Sequence, residues 1–495
     1  MKRTILANNL QPLFFFTLLI AIFASNLSAQ DVSVKIKIIS ANQIKVEGNF
    51  KDESVSMNNW SFLQEYADVS NLAERIETLQ LYDNKGVQIE TRKLNAGEYL
   101  ANQRAVSFNY QVNLTPSRKL TDSAHASWLT DTHGILMLAD LLPELKSESV
   151  FVDFDLPVDF KIAHQFPLLE KTTSTGFNID DAVFFVGRNW REKEVKFSVK
   201  NQDFKIRMAI AGTWQFSDEE AVEMTKSIVE EYLKIFNQLP KPLSQIILSP
   251  FPQENSNSDR WRAETRGSTV TIISGALPYK SQAIQRLHEQ LRHEIFHLWL
   301  PNSLALSGNY DWFYEGFTIY HALRTGVELN QIRFEDFLNT LGKAYDLSEG
   351  QTNSLIEASK KRWMGTGNFV YAKGLVVAFL CDVALLQASK GKRSLKDVFR
   401  QVYQKHQNPN QIEDGNSAIT SILRGFPELK PILENYIEGK AKITWENDLA
   451  AFGIEQEKSN FGVQLKVATK LNGRQKDLLD KLGYNQWRKI LQKTR

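Results

Sequence analysis

The chain of 495 residues has one cysteine, Cys381, which excludes an intramolecular disulfide. A chain of this length can bury cores large enough to fold without covalent cross-links. Cys381 lies inside the apolar run from Gly374 to Leu386. We therefore predict that it is a small buried hydrophobic residue rather than a reactive thiol.

The sequence also lacks an excess of charge of either sign, with 59 Lys and Arg against 57 Asp and Glu. The two surplus positive charges are Lys2 and Arg3, which lie in a segment expected to be removed. A balanced chain offers no general electrostatic attraction for a polyanion. Nucleic acid is therefore not an expected partner.

Long hydrophobic runs are scarce, and the main one lies at the N-terminus. Residues 1–29 combine Lys2 and Arg3, an apolar stretch from Leu13 to Ala24 and a small-residue end, which is typical of a secretory signal cleaved after Ala29. Leu27 suits cleavage less well than a small residue, so an uncleaved anchor remains open. Because the run from Gly374 to Leu386 is short and contains Asp382, the rest of the chain is not expected to insert stably into a membrane. These features predict an exported protein, periplasmic or extracellular.

Three regions follow the signal, and together they predict a multidomain α+β protein. Residues 30–212 contain short alternating segments such as Val32–Ile39, which predict an N-terminal β-sandwich. Residues 213–330 open with an amphipathic helix capped by Ser217 and are interpreted as a second domain. Residues 331–495 are predicted to be α-helical with a basic end. Nothing in the sequence indicates the oligomeric state.

The segment Arg292–Pro301 contains candidate metal-binding residues, because His293, Glu294 and His297 form an HExxH pattern. Two histidines four positions apart share one helix face and can bind one zinc ion. Glu294 would then lie beside the attacking water and accept its proton as general base. The alternative is a core helix that carries two histidines by chance.

A catalytic zinc usually needs a third protein ligand, and Glu315 is the candidate. It lies in Tyr310–Tyr320, far enough after Pro301 for a loop and a second helix to pack beside the first. Its aromatic neighbours Trp312, Phe313 and Phe317 could enclose a dry pocket. We therefore predict one zinc ion per chain, bound by His293, His297 and Glu315.

The HEIFH and WFYEGFTIY segments together resemble the gluzincin metallopeptidases, especially the glycyl aminopeptidase family and, more distantly, the aminopeptidase N-like family. A third segment, Tyr371–Asp382, is similar to the Tyr-x-Lys-Gly helix of the glycyl aminopeptidases. The resemblance implies a thermolysin-like catalytic domain at 213–330, a peptide or protein substrate and hydrolysis by a zinc peptidase. It also implies that Tyr371 stabilises the oxyanion, whereas by itself this tyrosine would be an ordinary aromatic residue at a helix start.

Glu264 matches the glutamate that, in these relatives, binds the free α-amino group of the substrate. The match is incomplete, because Arg262, Ala263 and Thr265 stand where glycine, an apolar residue, and Asn or His are usual. Glu264 could instead pair with the arginines at positions 260, 262 and 266 as a surface cluster. Internal and N-terminal cleavage therefore both remain open.

Two other hypotheses about the function of the whole chain remain. One is a gluzincin-fold peptide-binding protein with weak or no turnover. The other is an unrelated exported protein with an incidental HExxH pattern.

Overall fold

The computed structural model describes residues 32–485, except 52–53, 55, 146–149, 167, 171–172, 175–178, 201, 241–242, 254–259, 351, 409–410 and 461. The predicted signal at 1–29 and the last ten residues of the basic end lie outside the described residues. Within the described part, strands dominate up to residue 210 and helices dominate after residue 280. The predicted mixed α+β architecture is confirmed.

The N-terminal part (residues 32–187) is built from strands whose side chains alternate between core and solvent. In the first strand, Val32, Val34 and Ile36 are fully buried, while Lys35 and Lys37 point outward. The strands are β1 Val32–Ser40, β2 Gln43–Phe50, β3 Met57–Ser61, β4 Ile76–Tyr82, β5 Gln88–Ile89, β6 Thr91–Asn95, β7 Glu98–Ala105, β8 Ser107–Asn113, β9 Trp128–Leu129, β10 His133–Met137, β11 Val150–Asp155, β12 Lys161–Ala163, β13 Leu168–Glu170, β14 Thr173–Ser174 and β15 Val183–Gly187.

These strands form three sheets. The largest has the order β13-β14-β11-β1-β2-β8-β4-β5, a second has the order β12-β15-β10-β9, and a third has the order β3-β7-β6. Helix α1 (Leu138–Leu141) and three 3-10 turns, Leu72–Arg75, Leu120–Ala124 and Ile179–Asp181, connect them. One apolar core joins residues from all three sheets.

A five-stranded mixed sheet follows the N-terminal part and has the order β16-β17-β18-β20-β19. Its strands are β16 Arg191–Val199, β17 Gln202–Ile210, β18 Leu243–Pro250, β19 Trp261–Arg266 and β20 Thr269–Ser274. β17, β18 and β20 run parallel, whereas β16 and β19 are antiparallel to their neighbours. The sheet therefore crosses the domain boundary predicted at residue 212.

Helices cover this sheet and continue as far as Lys481. They are α2 Asp218–Phe236, α3 Lys280–His297, a π-helix Trp312–Phe317, α4 Thr318–Glu328, α5 Phe334–Ser348, α6 Leu355–Ser359, a 3-10 turn Arg362–Met364, α7 Gly367–Ala388, α8 Leu395–His406, α9 Gly415–Arg424, a 3-10 turn Pro427–Leu429, α10 Lys430–Ile432, a second π-helix Leu433–Ile437, α11 Glu446–Ala451 and α12 Gly473–Lys481. Two strand pairs complete the set: β21 Leu306–Ser307 with β22 Glu413–Asp414, and β23 Ile454–Ser459 with β24 Gly462–Val467.

Helix α7 occupies the centre of the largest apolar core, which extends from Val195 to Leu482. Its length of 22 residues and mean hydropathy of 2.0 make it the one helix among the described residues that is long and apolar enough to cross a membrane. Most of it is buried within the protein, as in an ordinary core helix. Cys381 and Asp382 lie on this helix and are both buried.

Candidate metal centre

Helix α3 presents the two histidines on one face, four positions apart as predicted. His297 Nδ1 donates a hydrogen bond to the Leu300 carbonyl at 2.8 Å, which leaves its Nε2 facing the other imidazole. The two Nε2 atoms of His293 and His297 lie 3.1 Å apart. A backbone contact of this kind fixes the ring orientation and tautomer that a metal ligand requires.

Glu315 reaches the histidine pair from the π-helix. Its Oε2 lies 3.2 Å from His293 Nε2 and 3.7 Å from His297 Nε2, and the three ligand atoms all lie within 4.8 Å of one another. Two neutral imidazole nitrogens and one carboxylate converging on one point suit a zinc ion that keeps a further position for substrate or water. The residues present therefore fit the predicted metal.

Arg362 contacts Oε1 of Glu315, the carboxylate oxygen that does not face the histidines. No pattern in the sequence identifies this arginine. Its guanidinium lies 3.0 Å from Glu315 Oε1 and 2.6 Å from Asp311 Oδ1. Burial alone would raise the pKa of Glu315, but the charge of Arg362 and the contacts with the two histidines hold that pKa well below its usual value. The carboxylate therefore remains an anion, as a metal ligand must.

Glu294 lies beside the three ligands on α3, and Thr265 of β19 contacts it. The Thr265 hydroxyl lies 2.8 Å from Glu294 Oε2 and 2.9 Å from the Glu294 carbonyl oxygen, and can donate to either. Nothing in the sequence marks Thr265 as a contact of Glu294. In the structure, this residue orients the predicted general base.

Tyr371 lies near the start of α7, and its phenol oxygen accepts a hydrogen bond from Arg362 Nη2 at 2.5 Å. Burial, followed by the nearby charge of Glu315, raises its pKa well above 10. The phenol therefore stays protonated, and its own O–H remains able to donate.

Glu264 lies on β19 and is mostly buried, with 13% of its side chain exposed. Tyr66 donates to its Oε1, His125 Nδ1 lies 3.0 Å from its Oε2, and the Arg266 guanidinium lies 3.5 Å from Oε1. Burial opposes ionisation, but Arg266 and the His125 contact lower the pKa of Glu264 to about 2. Glu264 thus belongs to a cluster that includes two residues of the N-terminal part. Of the three arginines considered from the sequence, Arg266 is the one that forms an ion pair with Glu264.

One cleft of about 1060 Å³ contains all six predicted residues in its lining: His293, His297, Glu315, Glu294, Tyr371 and Glu264. Tyr66 and His125 contribute to the same lining from the N-terminal part. The volume is at the upper end of the range for small-molecule sites and can hold several peptide residues. The structure therefore brings together every residue that the sequence analysis proposed for the site.

No protein-family model matches the chain, and no curated protein matches it in sequence. Solved structures do share its fold. An aminopeptidase N family protein from Idiomarina loihiensis has a TM-score of 0.71 at 16% identity, over 86% of this chain and 79% of that protein. An M1 zinc metallopeptidase from Deinococcus radiodurans has a TM-score of 0.55 at 12% identity, over 84% of this chain and 95% of that protein. A variant of the latter was solved with a Tyr-Ser-Ala substrate.

Legionella pneumophila aminopeptidase A, solved in complex with aspartic acid, is a further neighbour, with a TM-score of 0.51 at 13% identity over 84% of this chain and 50% of that protein. The chain therefore has the fold of the M1 zinc metallopeptidases. The fold that the resemblance to the aminopeptidase N-like family implies is confirmed, whereas membership of the gluzincins stays a prediction. The closer relation to glycyl aminopeptidases stays a prediction.

Proposed function

We propose that this chain is an exported zinc peptidase, with one zinc ion per chain, that removes residues from the N-terminus of peptides. The observation that carries the proposal is the convergence of His293, His297 and Glu315 in a peptide-sized cleft, with Glu294 beside them. The shared fold and the peptide bound to the Deinococcus radiodurans variant support the substrate class. Export rests on the sequence of residues 1–29.

Four polar residues around the metal site have roles in this mechanism. Zinc at this site would polarise the scissile carbonyl and lower the pKa of the attacking water. Glu294, oriented by Thr265, accepts the proton of the water and transfers it to the leaving amine. Tyr371 donates a hydrogen bond to the oxygen that becomes negative. Arg362 contacts both Glu315 and Tyr371, so it fixes the third ligand relative to the oxyanion donor.

Glu264 is the proposed anchor for the free α-amino group. The Glu264 carboxylate already contacts the Arg266 guanidinium and the His125 imidazole. A substrate ammonium would therefore join this cluster through a charge-assisted hydrogen bond rather than find an isolated carboxylate. The thermolysin-like character of the catalytic region and the glycyl aminopeptidase relation belong to the same proposal.

The test compares residues 30–495 with Glu315→Ala and Glu294→Gln, and with Glu289→Gln as a control on the exposed side of α3. We expect about one zinc per chain in the parent and its loss in Glu315→Ala. Glu294→Gln should keep the zinc and lose at least about 100-fold in kcat, the usual contribution of a general base. The control should match the parent.

Mass spectrometry of a mixed peptide library reads the cleavage positions. Loss of single N-terminal residues supports the aminopeptidase assignment, whereas internal cuts remove the amine-anchoring role of Glu264. A Glu294→Gln variant as active as the parent would contradict the mechanism. Zinc binding without any hydrolysis would instead favour a peptide-binding protein.

A further inference from the structure

The turn between α6 and α7, Lys360–Gly365, forms part of the cleft lining and is here called the rim turn. Gly365 closes it in the left-handed region, at a φ of 100°. Two large apolar side chains of this turn face solvent, since Trp363 is 55% and Met364 is 84% exposed. Exposed apolar groups beside polar ones are a common feature of ligand-binding surfaces.

The three consecutive basic residues of the rim turn differ in what they contact. Arg362 points inward and is paired with Asp311 and Glu315. Lys360 and Lys361 are exposed, and among the described residues no carboxylate oxygen lies within 4.0 Å of either ammonium. Neither lysine is therefore part of an ion pair in the described part of the chain, although the charge of Lys361 lowers the pKa of Glu357 from a greater distance.

Two exposed acidic residues of the cleft lining come from the N-terminal part. Glu65 and Asp68 are exposed on a turn of the N-terminal part, where Tyr66 and Val69 pair through their backbones. Glu264 adds a buried anion beside this turn, through its contact with Tyr66. Three carboxylates thus enter the lining from the Tyr66 turn and strand β19, and the elements of the metal site add Glu294, Asp311 and Glu315. The two exposed ammonium groups come from the rim turn.

We propose that Lys360 and Lys361 select peptides that carry a carboxylate on the leaving side of the scissile bond. This inference rests on the proposed function and narrows its substrate class to short peptides with a nearby negative charge. A peptide with its amino end at the acidic residues would direct its opposite end to the lysines, while Trp363 offers apolar contact. The carboxylate can be the peptide C-terminus or an acidic side chain, because both present the same group to an ammonium.

The hydrolysis test uses Ala-Leu-Ala-Ala as the free acid and as the C-terminal amide, together with the amide of Ala-Leu-Asp-Ala. We expect kcat/KM for the acid to exceed that for the amide about three- to tenfold, the range for one or two solvent-exposed ion pairs. The aspartate peptide shows whether an acidic side chain restores the advantage. In the Lys360→Gln/Lys361→Gln double variant, the ratio of acid to amide should fall to about one.

A double variant of exposed lysines outside the cleft lining, Lys226→Gln/Lys343→Gln, is the matched control and should keep the parent ratio. Added salt should reduce the ratio in the parent and have little effect on it in the rim variant. A parent that hydrolyses the acid and the amide equally would overturn the inference and leave the peptidase proposal intact. A preference that survives in the rim variant would also overturn it.

Calorimetric binding to the Glu294→Gln protein separates the two proposals. Tighter binding of the acid than of the amide, lost when Lys360→Gln/Lys361→Gln is added, supports the inference even where the parent hydrolyses neither peptide. That combination would contradict the peptidase proposal alone. Equal binding of the acid and the amide would contradict the inference whatever the hydrolysis result.

Discussion

Glu264 is the residue for which the sequence left two roles open, an anchor for substrate or a partner for surface arginines. The structure gives it contacts with Tyr66, His125 and Arg266, in a mostly buried position. Arg266 is itself 7% exposed and lies 4.1 Å from the centre of the Tyr66 ring. The carboxylate therefore stabilises a buried guanidinium, whatever it does for substrate.

This arrangement predicts a pH-dependent effect of Glu264→Gln on stability. At neutral pH the variant should lose about 2 kcal/mol in free energy of unfolding, because Arg266 loses its counter-ion. The pKa of Glu264 is lowered to about 2 in the folded protein, so its contribution is fully present above the ordinary value of 4.5. It is lost as the pH falls from 4.5 towards 2.

Urea unfolding at several pH values checks this prediction. The gap between parent and variant should narrow below about pH 4.5. The exposed residue Glu90 provides the control, since Glu90→Gln should stay within about 0.5 kcal/mol of the parent throughout. A gap for Glu264→Gln that does not change with pH would show that its charge has no part in stability.

Spacing along the chain predicted which three side chains converge, because spacing is a property of single segments. His293 and His297 share a helix face, and the distance along the chain to Glu315 leaves room for one loop. Thr265 and Arg362 reach the site from elements distant in sequence, and no period or motif marks them. Tyr66 and His125 belong to the N-terminal part, so only the packed structure could associate them with Glu264.

Among the elements, strong helical patterns gave the best predictions. The region predicted to be α-helical, residues 331–495, contains the long helices α5, α7 and α8. The Ser217 capping box begins α2 as expected. Strand β19 has no marker in the sequence, because its mixed side chains show no alternation. The π-helix at Trp312–Phe317 has no signature in the pattern of apolar residues.

The π-helix and α7 cross at two glycines, and this crossing predicts a further effect. A Cβ at Gly374 would lie 2.8 Å from the Cα of Gly316, and a Cβ at Gly316 would lie 2.6 Å from the Cα of Gly374. Gly374→Ala should therefore push the two helices apart and move Glu315 relative to Tyr371. We expect a loss of about 1–3 kcal/mol in stability and a lower zinc content after dialysis.

Gly473 provides the control, because nothing lies within 4 Å of a Cβ added there at the start of α12. Gly473→Ala should leave both stability and zinc content close to those of the parent, with a small stabilising effect at most. Denaturation curves and metal analysis of the two variants measure the difference. A Gly374→Ala protein with full zinc content and parental stability would show that the crossing tolerates separation.

At the scale of the whole molecule, an apolar core joins the N-terminal part to the five-stranded sheet. Phe185 of β15 is fully buried in a cluster that also contains Trp190 and, from the sheet, Ile247 and Ile273. The rings of Phe185 and Trp190 lie 5.9 Å apart. The sequence could not predict this joint core, because periodicity shows which face of an element is apolar but not what that face packs against.

The shared core predicts that the N-terminal part unfolds together with the five-stranded sheet and its helices. Phe185→Ala should lower the free energy of unfolding by about 3–5 kcal/mol, as for other buried phenylalanines. Calorimetry should record one transition, and a fluorescent chelator should report zinc release at the same lowered midpoint. Val158→Ala, at a fully exposed position, should change neither midpoint. Two separate transitions, with zinc release unmoved in Phe185→Ala, would mean that the metal site folds independently of the N-terminal part. A common shift would mean that the metal site and the β-rich part form one cooperative unit.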